Sequence, residues 1–272
     1  MFLTLQVLAT AIAAIAPMFA FAPAPAPVAT ATSTQARSSQ ADPTVAALFD
    51  GSSQTSDHTC TASVVSSTAG DLLITAAHCV TGTGNGTGTT VAPGYNAGAT
   101  PYGVWSVTGV FVDSAWKTSQ PDSDDFAILR VAPKVVNGTT RELQDVTGAN
   151  TLADTPSHTL GPTTLVTVQG FNTGINDHAI SCTNRLQFTG GEPTFGCGGY
   201  VDGSSGSPWI VVGSDGLPRV TGVIGGLNQG GCTSQTSYSP SFGAAVHNLL
   251  ARAEQPDARG DITPGAGPGP GC

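Results

Sequence analysis

The 272-residue chain carries 9 basic and 18 acidic side chains, for a net charge of −9. Nucleic acid and anionic membrane both require a basic patch, so neither is expected as a partner. With only 10 % charged residues, 35 glycines and 19 prolines, the chain favours short strands and many turns over long surface helices.

Residues 2–22 are almost entirely apolar and are followed by the small residues Ala29-Thr30-Ala31. This pattern predicts a secretory signal peptide over 1–31, although no basic residue precedes Arg37. Once it is removed, no membrane association is expected. The Ala-Pro repeat and the Ser/Thr/Gln run that follow predict a disordered segment or short propeptide over 32–44. Six cysteines, none in a C-x-x-C pair, predict disulfides in an oxidising compartment rather than a metal site, and place the protein outside the cell. No cofactor is expected.

A globular pattern begins near Val45. Residues 61–65 and 71–75 read as two strands joined by a turn, and Ala76-Ala77-His78-Cys79 closes a short turn after the second. Residues 82–90 are Gly/Thr-rich and read as a surface loop. Strands are predicted over 104–112 and 126–131, the second entered from the polar run 119–125. The polar stretch 136–159 reads as a linker between two halves. Further strands are predicted over 165–171 and 180–188, and a hairpin over 209–212 and 220–224 about the turn at 213–216. Phe242, Val246, Leu249 and Leu250 recur at helical spacing, which predicts a helix over 241–253 capped by Ser239 or Ser241. After Pro256 the composition predicts a flexible tail. Its Arg259-Gly260-Asp261 spells an adhesion tripeptide, a motif short enough to arise by chance.

Three separated stretches carry chemistry. His78 follows a buried strand, and a Cys60–Cys79 bridge would fix the imidazole at the base of the hairpin. Asp125 abuts the apolar run at 126–129. A carboxylate at the mouth of a buried strand needs a hydrogen-bond donor, which an imidazole N–H supplies. Asp124 is the rival; alternation along a strand lets only one of the two point inward. Asp202-Gly203-Ser204-Ser205-Gly206-Ser207-Pro208 frames serines with glycines, so that an oxygen and nearby backbone N–H groups can face one spot. The order is His, Asp, Ser, with separations of 47 and 80 residues. The chymotrypsin template has the same order at roughly 45 and 93, whereas an α/β-hydrolase runs Ser, Asp, His.

At these residues the chain resembles the chymotrypsin-fold serine peptidases. Thr75-Ala-Ala-His-Cys79 matches the family's His motif, Asp125-Phe-Ala-Ile-Leu129 its Asp motif, and Gly203-Ser-Ser205-Gly-Ser-Pro208 its Ser motif with two changes. The resemblance implies an all-β fold of two six-stranded antiparallel barrels and a C-terminal helix. The peptidase domain would span 45–254, with barrel one over about 45–135, barrel two over about 160–238, and the tail over 255–272. It implies a monomer acting on polypeptides, with Ser205 as nucleophile, His78 as general base and Asp125 orienting the imidazole. The N–H groups of Gly203 and Ser205 would form the oxyanion hole. Ser204 stands where the digestive branch has an Asp that pairs with a new N-terminal amine. In this respect the stretch is similar to the bacterial extracellular branch, which includes glutamyl endopeptidases.

Gly199, Asp202, Gly225 and Gly226 are the expected specificity-pocket residues. Gly199 stands where trypsin-like members have Asp, which does not support cleavage after Lys or Arg. No His stands near 223–226, which does not support glutamate preference. Beyond Cys60–Cys79, the expected bridges are Cys182–Cys197 and Cys232–Cys272, with Cys197–Cys232 as competitor. Two other functions fit the same fold. One is an inactive binding or adhesion module, which a rotated His78 would favour; the other is an esterase, which parallel ester and peptide assays would separate.

Overall fold

The computed structural model describes residues 32, 34–50, 58–80, 88–173 and 176–261. The expected signal peptide and Cys272 lie outside them. In the first half, six strands close into a barrel in the order β2-β3-β4-β7-β6-β5. An outlying strand, β1 (Arg37–Ser38), precedes them. The barrel strands are β2 (Val45–Asp50), β3 (His58–Val64), β4 (Leu72–Thr75), β5 (Thr89–Pro93), β6 (Trp105–Val112) and β7 (Ala127–Val131). Their interior is filled by Leu48, Val64, Leu73, Trp105, Val112 and Leu129 among others. Closure leaves no unpaired edge on this half.

The stretch expected to be a linker is built of short elements. Strands β8 (Lys134–Val136) and β9 (Thr139–Arg141) form a hairpin, followed by helix α2 (Leu143–Thr147) and β10 (Thr151–Leu152); helix α1 (Ser114–Ser119) lies earlier, after β6. The second half contains β11 (Leu165–Asn172), β12 (Asn176–Thr189), β13 (Glu192–Phe195), β14 (Pro208–Val212), β15 (Pro218–Val223) and β16 (Ser237–Tyr238). Of the two expected six-stranded barrels, the first is the one shown closed. The strands of the second half form an eight-stranded sheet in the order β10-β15-β14-β11-β12-β13-β16, with β1 also on β12. Strand β15 ends at Val223, before the glycine-rich run that starts at Gly225, and one bond, Gly225 N–H to Tyr238 O at 3.1 Å, links that run to β16.

Within the segment expected to be disordered or a short propeptide, β1 pairs with this sheet. Arg37 and Ser38 pair with Ser181 and Ile180, and Gln35 bridges Gly198.

Helix α3 (Ala244–Ala253) starts later than its periodicity suggested. Its N-cap is Gly243 with no side-chain cap, and Thr155 Oγ1 accepts the Phe242 N–H from outside. Phe242, Val246, Leu249 and Ala253 bury against Phe111, Phe126 and Ile128 of the first half and Val220 and Val223 of the second. Each large apolar side chain so buried contributes about 1.5–3 kcal/mol. The helix thereby fastens the two halves together. Its C-terminus is held by Arg130 of β7, whose guanidinium donates to the carbonyls of Ala253, Gln255 and Ala258. Such donors satisfy the orphan carbonyls at a helix end. Arg130 and Arg252 both lie over the Phe111 ring, at 5.1 and 5.4 Å from its centroid.

The first residues of the tail are also fixed. Asp261 Oδ1 accepts from Lys117 Nζ, and Oδ2 from Arg252 and the Val112 N–H. The carboxylate of the adhesion-like tripeptide is therefore already occupied.

Candidate active site

His78 lies in a single 3-10 turn, 77–79, just after β4. Cys79 is bonded to Cys60 of β3, which ties the turn to the barrel. Asp125 ends another 3-10 turn, 122–124, immediately before β7. That turn, rather than strand alternation, separates the two candidate carboxylates: Asp125 is 1 % exposed, while Asp124 accepts from Ser123 Oγ at the surface.

The Asp125 carboxylate receives three donors. Oδ1 accepts the His78 backbone N–H at 2.8 Å, and Oδ2 faces His78 Nδ1 at 2.7 Å. The Gly226 N–H also donates to Oδ2, at 2.7 Å. With Nδ1 facing the carboxylate, Nε2 is the ring nitrogen turned away from Asp125.

Ser205 is brought to the same cleft by a dense set of contacts. Thr61 of β3, next to Cys60, donates its N–H to Ser205 O at 2.8 Å. Gly206 N–H donates to Ile224 O at 2.7 Å. Two glycines are required here. A Cβ on Gly203 (φ 90°) would lie 2.5 Å from the Thr173 nitrogen, and one on Gly206 (φ 80°) would lie 2.1 Å from Thr61 O. His78, Cys79, Asp202, Gly203 and Ser205 line one open cleft of about 450 Å³. Among the described residues, the Gly203 and Ser205 N–H groups have no hydrogen-bond acceptor, whereas Ser204 N–H bonds Val201 O and Ser207 N–H bonds Ser204 O.

Ser207, at the end of the serine motif, is fully buried. Space for it comes from Gly170 of β11, where a Cβ would lie 1.8 Å from Ser207 Oγ.

A second cavity, of about 210 Å³, opens beside Ser205. Its lining includes Tyr200, Ile224, Gly230, Thr233 and Ser237 together with Asp202. Of the expected pocket residues only Asp202 lines it. Gly225 instead backs the Asp125 carboxylate, 3.0 Å from where its Cβ would be, and Gly199 lies under Gln35. Tyr200 points away: its hydroxyl donates to Val168 O at 2.8 Å, and burial pushes its phenol far above the ordinary range.

Cys182 and Cys197 are bonded to each other, which rules out the competing Cys197–Cys232 bridge. The Cys232–Cys272 pairing lies outside the described residues. The Cys60–His78–Cys79 cluster offers no thiolate to a metal, because its sulfurs are joined. His58 packs edge-on against Phe49, Tyr95 and Phe171.

Sequence patterns had no way to single out Gly226 as a donor to Asp125, since its signal is a bare backbone N–H. Asn172, Thr173 and the 233–237 wall of the pocket were likewise silent: single polar residues in strand ends and loops.

The chain was compared with known proteins. The trypsin family model matches residues 31–252. No curated protein sequence matches. Among solved structures, the protease Anisep from Arthrobacter nicotinovorans is similar at 20 % identity and a TM-score of 0.64, over 80 % of this chain and 99 % of that one. The thermostable serine protease AL20 from an extremophilic microorganism is similar at 22 % identity and a TM-score of 0.62, over 79 % and 99 %. A Glu endopeptidase is similar at 17 % identity and a TM-score of 0.58, over 78 % and 90 %. At these identities the structures speak to the fold, and the family model, matching well over half of the chain, speaks to descent. The chain belongs to the trypsin family of serine endopeptidases.

Proposed function

We propose that the protein is a secreted endopeptidase that cleaves peptide bonds through an acyl-enzyme formed on Ser205. Ser205 Oγ attacks the scissile carbonyl while His78 Nε2 takes its proton. Asp125 keeps the imidazole in the tautomer that leaves Nε2 free and stabilises its charged form. The negative oxygen of the tetrahedral intermediate is met by the N–H groups of Gly203 and Ser205. His78 then returns the proton to the leaving amine, and water repeats the sequence to release the acid.

The observation that carries this reading is the threefold-donated Asp125 carboxylate behind His78, in the same cleft as Ser205 and two unspent N–H groups. An oxyanion donor contributes about 3–4 kcal/mol of transition-state stabilisation in comparable sites, and both N–H groups lack an acceptor among the described residues. The disulfides support an oxidising compartment. Among the described residues no helix is long and apolar enough to cross a membrane.

A fluorophosphonate probe tests the reading. It should label the mature protein at Ser205, and Ser205→Ala should abolish both labelling and peptide hydrolysis. A folded wild-type protein that stays unlabelled at neutral pH would sink it and favour a non-catalytic binding module. Labelling with hydrolysis of esters but of no peptide would favour an esterase.

A further inference from the structure

Relatives of the digestive branch hold the oxyanion loop with a buried ion pair, and Ser204 removes the acid. Resting on the reading of Gly203 and Ser205 as oxyanion donors, the geometry points to Asn172 as a positioning residue. Its side-chain amide, with Ser204 Oγ, holds the loop 199–204 in its donor-presenting shape through uncharged hydrogen bonds, and no free N-terminal amine is needed.

Asn172 ends β11 and is 6 % exposed. Its Nδ2 donates to Gly199 O at 2.6 Å, and its Oδ1 accepts the Val201 N–H at 3.2 Å. Only one orientation of the amide satisfies both, since a carbonyl accepts and an N–H donates. One rigid side chain therefore spans the loop at two points.

Ser204 completes the clamp from inside. It is 3 % exposed, and its Oγ donates to Val201 O at 2.6 Å. An acid here would place a buried carboxylate against a carbonyl oxygen, which is costly without a cation. Asp202 O accepts the Thr173 N–H at 2.8 Å. On the far side, Gly198 N–H donates to Thr34 O at 2.9 Å and Gly198 O accepts the Ala36 N–H at 2.8 Å. The loop is thus bonded at 198, 199, 201, 202 and 204. The N–H groups of 203 and 205 have no acceptor among the described residues. Residues 34–36 run through this region as continuous chain, with the Gln35 side chain lying over Gly198 and Gly199.

The test compares wild type, Asn172→Ala and Ser204→Ala, each titrated for active sites by exhaustive fluorophosphonate labelling, with kcat and KM measured on one peptide and thermal midpoints recorded. Asn172→Ala should lower kcat per titrated site by about tenfold or more, with KM changed less than about threefold, because a misplaced donor is missed chiefly in the transition state. Ser204→Ala, the second arm should Asn172→Ala fail to fold, should lower kcat by about threefold or more in the same way. Unchanged kcat per titrated site in both variants, with lowered thermal midpoints, would reduce the clamp to a structural role and overturn the proposal. So would loss of activity when the N-terminal amine of the mature protein is blocked by acetylation. An unlabelled wild type would instead remove the catalytic reading on which the proposal rests.

Discussion

Gly226 donates its backbone N–H to the same Asp125 oxygen that faces the His78 imidazole, each at 2.7 Å. The second half of the molecule thus grips a carboxylate carried by the first. All three contacts to Asp125 are donors, so an amide in its place must turn an NH2 against one of them or force the imidazole into the other tautomer. Asp125→Asn should therefore lower kcat by on the order of 10⁴, as the same change does in the chymotrypsin template. Active-site-titrated peptide hydrolysis measures it, and a loss below about tenfold would mean that the carboxylate does not set the tautomer.

Gly206 makes a sharper structural demand. With φ at 80°, a new Cβ would meet Thr61 O at 2.1 Å and Thr75 Oγ1 at 2.2 Å. Neither can yield easily: Thr61 O already accepts from Thr75 Oγ1 at 2.7 Å in the floor beneath His78. Gly206→Ala should destabilise the fold by more than the 1–3 kcal/mol or so of a strained backbone alone, and should slow probe labelling of whatever folds. Thermal unfolding of the purified variant gives the answer; a midpoint equal to wild type would show that the turn can relax.

These two positions illustrate what was legible in the sequence. Strands with alternating or continuous apolar residues, such as 61–65, 126–131 and 165–171, were readable because burial selects side chains. The His, Asp and Ser stretches were readable because their residue types are rare in that order. What stayed hidden rests on backbone groups. The Gly226 N–H has no side chain to announce it, and β1 is paired to β12 through its main chain. The second half was expected to close as the first does. Its sheet takes in β1 and β10 at positions no apolar pattern marks.

Asp261 offers a pH test of the tail. Burial alone would raise its carboxyl, but hydrogen bonds from Arg252, Lys117 and the Val112 N–H outweigh that and hold it below the ordinary value. A carboxyl lowered in the folded state adds stability above its unfolded pKa, near 3.9, and that stability is lost as pH falls through the lowered value. Asp261→Asn should thus lower the thermal midpoint at pH 7, and the gap to wild type should close as pH drops below about 4. A gap that persists at low pH would assign the effect to packing rather than to charge.

The cavity beside Ser205 bears on which bonds are cut. Among its lining residues Asp202 alone carries a charge, and it lies exposed at the mouth. The rest of the lining is uncharged, including hydroxyls, Gln229, Val201 and Ile224, with the Tyr200 hydroxyl turned away to Val168 O. A charged side chain entering from water would lose its hydration and gain no counter-ion inside, a cost of several kcal/mol. Peptides with an uncharged residue before the scissile bond should therefore surpass those with Lys, Arg or Glu by at least about tenfold in kcat/KM. Cleavage of a mixed-sequence peptide library, read by mass spectrometry, ranks all residues at once. A preference for Glu would demand a cation that the lining does not hold. A preference for Lys or Arg would bring Asp202 inward from the mouth, and Asp202→Asn should then abolish it.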